Sequence, residues 1–311
     1  LTTLRPQALS EGVTALTFDR VVPTVMFNRR VIELDRAQPG GNPNAPAGAP
    51  AFAPYRDRHV TPALIARGQR RYTSLRPLLM GIERQTGVPE SIMLGIYGNE
   101  TGFGGFTGSS DLLSSLATLA YEGRRRELFT REFIATLKLI DRGIPREQLK
   151  GSWAGATGYP QFLPTMYLRL GKDGDGDGRV DIWTNEADAM ASIANYFVHA
   201  GWKPNVVWGV TVRVPAGFDR SAVAAKLVSP RCPRVYQRHS RWLTVAEWRQ
   251  RGIEITGANP PADDQQASLL EPDGPGATAY LLSGNYRVIL DYNCSNFYGL
   301  SVGLLADAVA R

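Results

Sequence analysis

Pro89-Glu90-Ser91-Ile92-Met93-Leu94-Gly95-Ile96-Tyr97-Gly98-Asn99-Glu100-Thr101-Gly102-Phe103-Gly104-Gly105 is the stretch on which the reading of this chain turns. Pro89 suits the first turn of a helix, where a missing N–H costs nothing. Ile92, Met93, Ile96 and Tyr97 then recur at threes and fours, the spacing of one buried helix face. Glu100 lies four residues after Ile96 and eight after Ile92, so the same face carries a carboxylate. Gly102, Gly104 and Gly105 stop the helix and put Glu100 in its last turn. A carboxylate there meets two penalties, burial and the negative end of the helix dipole. Both disfavour the charged form and push the pKa up. A raised pKa is what a general acid working near neutral pH needs. The plain alternative is that the apolar face simply ends and Glu100 is solvated; the pattern alone does not separate the two.

Helical periodicity extends on both sides. Thr61-Pro62 reads as an N-cap followed by a first-turn proline, and Leu64, Ile65, Leu75, Leu78, Leu79 and Ile82 follow until Gly87 ends the run. Downstream, Leu112–Ala120 is apolar. Residues 127–142 place Leu128, Phe129, Phe133, Ile134, Leu137 and Ile140 on one face, and residues 186–200 do the same with Ala189, Met190, Ile193, Ala194 and Phe197. Residues 1–38 mix helical spacing with short extended pieces. From 39 to 54 prolines at 39, 43, 46 and 50 predict a loop or flexible insertion. Beyond Trp208 the period changes to two, with Val210, Val212 and Val214 alternating with polar residues. Ala277–Leu282 and Tyr286–Asp291 flank Ser283-Gly284-Asn285 and read as a hairpin, and Thr244 with Glu247 forms a capping-box signature for a short helix. The tail, 297–309, returns to helix with Leu300, Leu304, Leu305 and Val309. The fold class is therefore α+β and mainly α.

No window approaches eighteen uncharged apolar residues, so no membrane span is expected. The net charge of +6 is met either by an ordinary solvated basic surface or by attraction to a polyanion. No nucleic-acid motif accompanies it, so no nucleic-acid partner is expected. The two cysteines, Cys232 and Cys294, are too few for a disulfide scaffold and match no metal spacing. A bridge between them is open in an oxidising compartment, where closing that loop would stabilise the fold by roughly 4 kcal/mol. His59, His199 and His239 sit in no catalytic motif.

The segment Gly98–Gly105 resembles the catalytic Glu-Ser/Thr segment of lytic transglycosylases. Three further stretches narrow the resemblance: Ser115-Leu116-Ala117-Thr118-Leu119-Ala120-Tyr121-Glu122-Gly123-Arg124-Arg125, Gly151-Ser152-Trp153-Ala154-Gly155-Ala156-Thr157-Gly158-Tyr159-Pro160-Gln161-Phe162-Leu163-Pro164, and Ala191-Ser192-Ile193-Ala194-Asn195-Tyr196-Phe197. Together with Tyr292-Asn293-Cys294-Ser295 they closely resemble the lytic murein transglycosylase B family. The family's fold implies a lysozyme-like helical core with an added helical domain and a small β-rich domain. Laid on this chain, that gives an N-terminal helical region over 1–85, a catalytic core over 86–206, a β-rich domain over 207–291 and a segment over 292–311 returning to the core.

What the resemblance implies chemically is cleavage of the β-1,4 bond from N-acetylmuramic acid to N-acetylglucosamine in peptidoglycan, with Glu100 as the single acid and base. The muramoyl C6 hydroxyl then attacks its own C1, leaving a 1,6-anhydro end and consuming no water. No catalytic cofactor is implied. Ser152, Gln161, Tyr196, Tyr292, Asn293 and Tyr298 carry over as substrate-binding positions. Phe103 is open either to wall the site or to fill the core. Arg124 and Arg125 resemble a pair that could hold a substrate carboxylate, against the plainer reading of a solvated basic face. Asp173-Gly174-Asp175-Gly176-Asp177-Gly178-Arg179 follows the calcium-loop pattern, with acids at one, three and five, Gly at six and the Arg179 carbonyl at seven. Position twelve is Thr184 rather than Glu. The family's lengthened loop is closed by a later acid, here Asp188, so a structural Ca²⁺ is expected. The expected setting is the periplasm, soluble or anchored to the outer membrane through a removed N-terminal lipobox, with glycan strands and other cell-wall enzymes as partners and a monomeric state. Two alternatives stay open. A hydrolytic muramidase would need a second carboxylate, for which Asp111 is the nearest downstream acid. A non-catalytic peptidoglycan-binding protein would need a dead site.

Overall fold

The computed structural model describes residues 1–38, 51–225 and 232–310. The helices and strands follow in chain order. The first half holds α1 (Arg5–Ser10), α2 (Ala15–Val21), α3 (Arg29–Arg36), α4 (Phe52–His59), α5 (Pro62–Thr86), α6 (Glu90–Thr101), β1 (Ser110–Asp111), α7 (Leu112–Glu122), α8 (Arg126–Asp141) and β2 (Lys150–Gly151). The second half holds α9 (Pro164–Leu170), α10 (Glu186–His199), β3 (Gly209–Arg213), α11 (Pro233–Tyr236), β4 (Leu243–Thr244), α12 (Val245–Gln250), β5 (Glu254–Ile255), β6 (Gln266–Leu270), β7 (Ala279–Leu282), α13 (Gly284–Tyr292) and α14 (Asn296–Val309). The architecture is mainly helical with a small β sheet. The chain divides into two compact units, one of residues 1–48 and 100–192, the other of residues 49–99 and 193–311.

The first unit is built on α7. Leu112–Ala120 are all buried, so this stretch of the helix has no solvent face and must satisfy the hydroxyls of Ser114 and Thr118 internally. It does so by holding the chain that leads into α3: Ser114 Oγ accepts from the Met26 N–H at 3.1 Å and Thr118 Oγ1 from the Asn28 N–H at 3.0 Å. α8 and α3 pack against α7, and α9 against α8. Glu132 on α8 is 1% exposed, and its carboxylate receives both the backbone N–H and the hydroxyl of Thr165 in the first turn of α9. The buried acid therefore acts as a cap supplied from a neighbouring helix.

Three further carboxylates fasten this unit. Asp35 takes a two-pronged grip from Arg124, both contacts at 2.6 Å, and a further bond from Arg125. Those bonds, Arg124's first, outweigh burial and hold its pKa below the usual 3.8. Burial alone would raise Asp111 and Asp141, but Arg146 and Ser114 on the former, and Thr17 and Thr14 on the latter, pull both below 3.8. The sign follows directly. Each depressed carboxylate contributes stability that is complete above its unfolded pKa and is lost as pH falls through its folded pKa. The melting temperature is therefore expected to hold from neutrality to about pH 5 and to fall below the ordinary carboxylate range. An Asp35→Asn variant should show a smaller fall, and an equal fall in the variant would contradict the assignment.

The second unit combines α4, α5, most of α6, the end of α10 and everything from β3 onward. Its antiparallel sheet runs β4-β6-β7-β3-β5, with Val210 opposite Leu281 and Val212 opposite Ala279. One face packs Val210, Val212, Leu243, Val245, Trp248, Ile253, Leu269 and Leu281 into a core, pinned by Trp248 Nε1 donating to the Ala267 carbonyl at 3.0 Å. β7 is buried at all four positions, so alternation disappears and both of its faces are covered. The capping box of Thr244 and Glu247 is formed as expected. So are the Thr61 cap, the Pro62 start and the left-handed Gly87 end of α5, with φ 71°.

Two expectations are corrected. Tyr286–Asp291 is not the second arm of a hairpin but part of α13. Ser283 caps that helix by accepting from Asn285 N, and Tyr286, Ile289 and Leu290 are buried at helical spacing. The short run satisfied both periods, and the cap decided it. The loop expected over 39–54 ends earlier: α4 starts at Phe52, and Pro54 sits in its first turn, where no intrahelical N–H bond is lost. The rest of that stretch, 39–50, lies outside the described residues. Cys232 and Cys294 are bridged, closing a loop with a sequence separation of 62.

Candidate active site

Glu100 lies in the last turn of α6 and is half-buried. The helix ends abruptly because three successive residues are left-handed: Gly102 at φ 60°, Phe103 at 61° and Gly104 at 78°. For Phe103 this is unfavourable by about 1 kcal/mol, and its side chain is 3% exposed, filling the core. Thr101 closes the turn, its hydroxyl oxygen accepting from Gly104 N at 3.0 Å and its carbonyl from Phe106 N at 3.1 Å.

The loop that follows meets the 151–164 segment at two points. A Cβ on Gly108 would lie 2.2 Å from the Gly151 carbonyl, so backbone runs against backbone beside Ser152. Gln161, left-handed at φ 50°, donates from Nε2 to the Thr107 carbonyl at 3.0 Å and to the Gly158 carbonyl at 2.9 Å. With both protons of that amide spent on backbone, its oxygen is the end left for a ligand donor. The Ser152 oxygen accepts from Ala156 N at 3.0 Å, leaving its proton for another acceptor. Within the first unit the structure thus gathers Gln161, Ser152 and the loop leaving Glu100.

The second unit gathers the tyrosines. The Tyr196 and Tyr292 rings meet edge to face at 4.7 Å, and Tyr292 stacks parallel to Tyr298 at 6.5 Å. Phe197 backs Tyr292 from α10 at 6.0 Å. Asn293 is exposed where α13 ends in extended backbone; Cys294 is bridged, and Ser295 caps α14 two residues after Asn293. Candidate side chains spread over a hundred residues of sequence are therefore brought together by α10 and by the short link between α13 and α14.

Arg124 and Arg125 are engaged elsewhere. The carboxylate they hold is that of Asp35, which is 1% exposed. Asp35 was not singled out from sequence, although it follows the buried Val31 by one helical turn and so shares its face. A cavity of about 600 Å³ in the second unit takes in Trp202, Trp208, Leu304 and Asp307, with Ile92 from the start of α6, and holds none of the residues expected to bind substrate.

In the acidic loop, carboxylate oxygens of Asp173, Asp175 and Asp188 lie within 4.8 Å of one another, and Asp177 is not in that group. Asp173 receives the Gly176 and Gly178 N–H groups at 2.6 and 2.8 Å, which fold the loop and hold its pKa down. Asp188, fully buried, receives Gly174 N and Asp181 N at 2.8 and 2.6 Å. Burial pushes it up, with the Asp175 and Asp173 charges adding to the effect. The Asp177 Oδ1 accepts from Arg179 N, a bond internal to the turn.

Residues 1–307 match the Transglycosylase SLT domain family. The chain is 33% identical over 272 residues to the membrane-bound lytic murein transglycosylase B of Escherichia coli, covering 86% of this chain and 69% of that protein. Among solved structures it is similar to SltB3 from Pseudomonas aeruginosa in complex with NAG-anhNAM-pentapeptide, with TM-score 0.86 and 36% identity, over 99% of this chain and 78% of the other. It is also similar to the Escherichia coli lytic transglycosylase Slt35 in complex with calcium, with TM-score 0.78 and 28% identity, over 99% and 92%. An acid at the end of a helix, set in a match that runs nearly the whole chain, has a single reading: this chain belongs to the lytic murein transglycosylase family.

Proposed function

We propose that this chain cleaves the MurNAc-β-1,4-GlcNAc bond of peptidoglycan without water, with Glu100 serving first as acid and then as base. The proton on Glu100 passes to the glycosidic oxygen as the C1–O bond breaks. The carboxylate so formed takes the proton of the muramoyl C6 hydroxyl as that oxygen bonds to C1. The C6 hydroxyl proton replaces on Glu100 the one given to the leaving sugar, so the balance closes over the two sugars without water, and the nucleophile is already in place. The observation that carries the reading is the position of Glu100 in the last turn of α6, inside residues 1–307 that match the transglycosylase family. Gln161 and Asn293 bond N-acetyl groups, Ser152 a neighbouring polar atom, and Tyr196, Tyr292 and Tyr298 form the apolar and hydroxyl lining. The hydrolytic alternative loses its candidate: Asp111 caps α7 through Ser114 N and pairs with Arg146 at 3.0 Å, so its oxygens are committed. Mass spectrometry of digested sacculi should find anhydro-muramoyl ends. Reducing ends in their place would mean that water is the nucleophile.

The acidic loop suits a structural divalent cation. Three carboxylate oxygens converge, one from a buried acid that faces two like charges, and a hard oxygen-seeking ion such as Ca²⁺ relieves that repulsion. Asp173, Asp175 and Asp188 would hold it, with the Arg179 carbonyl as a further ligand. Such an ion present at about a hundred times its Kd stabilises the native state by about 2.7 kcal/mol. The melting temperature should therefore rise with calcium and fall with chelator, and an Asp188→Asn variant should lose most of the difference. Identical melts with and without calcium would remove the site.

The polymer places the activity in the cell envelope, in the periplasm and either soluble or lipid-anchored. Among the described residues no helix is long and apolar enough to cross a membrane. The disulfide accords with an oxidising compartment.

A further inference from the structure

Ser301 stands one turn beyond Tyr298 on α14 and is fully buried. Its hydroxyl lies 2.9 Å from the Tyr298 carbonyl and 3.1 Å from Asn99 Oδ1. Both are acceptors, and a serine has one proton to give. At the same place the Asn99 Nδ2, with two protons, is buried and meets no acceptor. One exchange resolves both conflicts. The oxygen and nitrogen of a side-chain amide fill the same volume and are told apart only by their partners. With the Asn99 amide turned over, Nδ2 donates to Ser301 Oγ, and the Ser301 proton goes undivided to the Tyr298 carbonyl. The polar atom left over becomes a carbonyl oxygen, which tolerates a missing partner better than a buried N–H does.

Asn99 is the residue before Glu100. The helix's own ladder is failing there, since the last turn of any helix lacks partners for its carbonyls and three left-handed residues follow at once. One turn earlier on the same face, Gly95 brings α6 against α14 so closely that a Cβ would lie 2.7 Å from the Val302 carbonyl. The contact between the two helices thus runs from Gly95 to Asn99 and ends in a polar link beside the acid.

We propose that Asn99 and Ser301 form a directed hydrogen-bond relay, Asn99 Nδ2–H to Ser301 Oγ and Ser301 Oγ–H to the Tyr298 carbonyl, which anchors the last turn of α6 at the residue immediately before Glu100. Asn99 and Ser301 are positioning residues: neither touches the reacting atoms. The inference rests on Glu100 being the acid.

The test uses Asn99→Ala, Ser301→Ala and the double variant of the full chain, each confirmed as folded by its melting curve. Each single variant should lower kcat roughly tenfold, as a slightly misplaced acid does, with KM within a factor of two. Each should also move the limb of the pH–rate profile that Glu100 sets. The double variant should be no worse than either single one, because the relay is already broken. In the labelled native protein, one Asn99 side-chain amide proton should exchange slowly, and Ser301→Ala should abolish that protection. Unchanged kcat and pH limb in folded single variants, multiplicative losses in the double variant, or fast exchange of both Asn99 amide protons would each overturn the relay. Glu100→Gln measured alongside keeps the two readings apart: full activity in that variant would sink the acid assignment, whereas loss there with unaltered Asn99→Ala kinetics would sink only the relay.

Discussion

Glu100→Gln should digest sacculi at a rate roughly 10²- to 10⁴-fold below that of the native chain, the range that a positioned proton donor contributes. The amide keeps the size and hydrogen-bonding reach of the carboxyl but has no proton to give the leaving oxygen and cannot take one back from the C6 hydroxyl. Both halves of the proposed reaction run through the same side chain, so the loss should not be shared out among neighbours. Substrate binding should survive, because the proposed sugar contacts come from amides and tyrosines and not from the acid; kcat should fall and KM stay. The melting temperature should move little, since Glu100 is half-buried and its replacement is nearly isosteric. Turnover close to native in a folded variant would end the assignment. A parallel Asp111→Asn variant offers the contrast. Its amide oxygen can still cap α7, but the charge pair with Arg146 is lost, so it should melt lower while the product remains the anhydro sugar.

The second large effect is on stability. Breaking the Cys232–Cys294 bridge, by reduction or by paired serine substitution, should cost about 4 kcal/mol on the chain-entropy account for a loop of 62 residues. At about 2–4 °C per kcal/mol for a chain of this class, the melting temperature should fall by about 10 °C. The loss should concentrate in the second unit, because the loop encloses α11 through α13. Activity should suffer before stability does, since Cys294 adjoins Asn293 and stands two residues after Tyr292, where the bridge holds the exposed link between α13 and α14. Amide exchange localised to 284–298 on reduction is the measurement that reads this. A uniform change across the chain, or none, would mean that the bridge does not hold the link.

Most of the helical frame was legible in the sequence because its signals are local. Thr61, Pro62 and Gly87 mark both ends of α5 by capping chemistry alone, and the glycines after Glu100 end α6 whatever surrounds them. The hairpin expected over 277–291 failed for the converse reason. Six residues of mixed apolar character satisfy periods of both 2 and 3.6, and the choice was made by the Ser283 cap and by packing contacts distant in sequence. The candidate site divides in the same way. Glu100 and the acidic loop carry their own spacing, so the sequence marks them as candidates. Tyr196, Tyr292 and Tyr298 do not, and only resemblance could single them out before the rings were seen to cluster. Asp35 hides because a buried anion on α3 is defined by its partners, and Arg124 and Arg125 lie nearly ninety residues away.

The left-handed run from Gly102 to Gly104 sets a limit on how this protein can drift. At two of its three positions almost any side chain brings backbone strain, and at Phe103 that strain is already present and is balanced by a buried ring. In a library of every single substitution, positions 102 and 104 should tolerate glycine and little beyond asparagine or aspartate. Position 103 should keep a large apolar residue and reject the β-branched ones. Variation that other surface loops absorb freely is closed to these residues, so the stretch next to the acid should be among the slowest to diverge, even though none of the three residues takes part in the proton transfers.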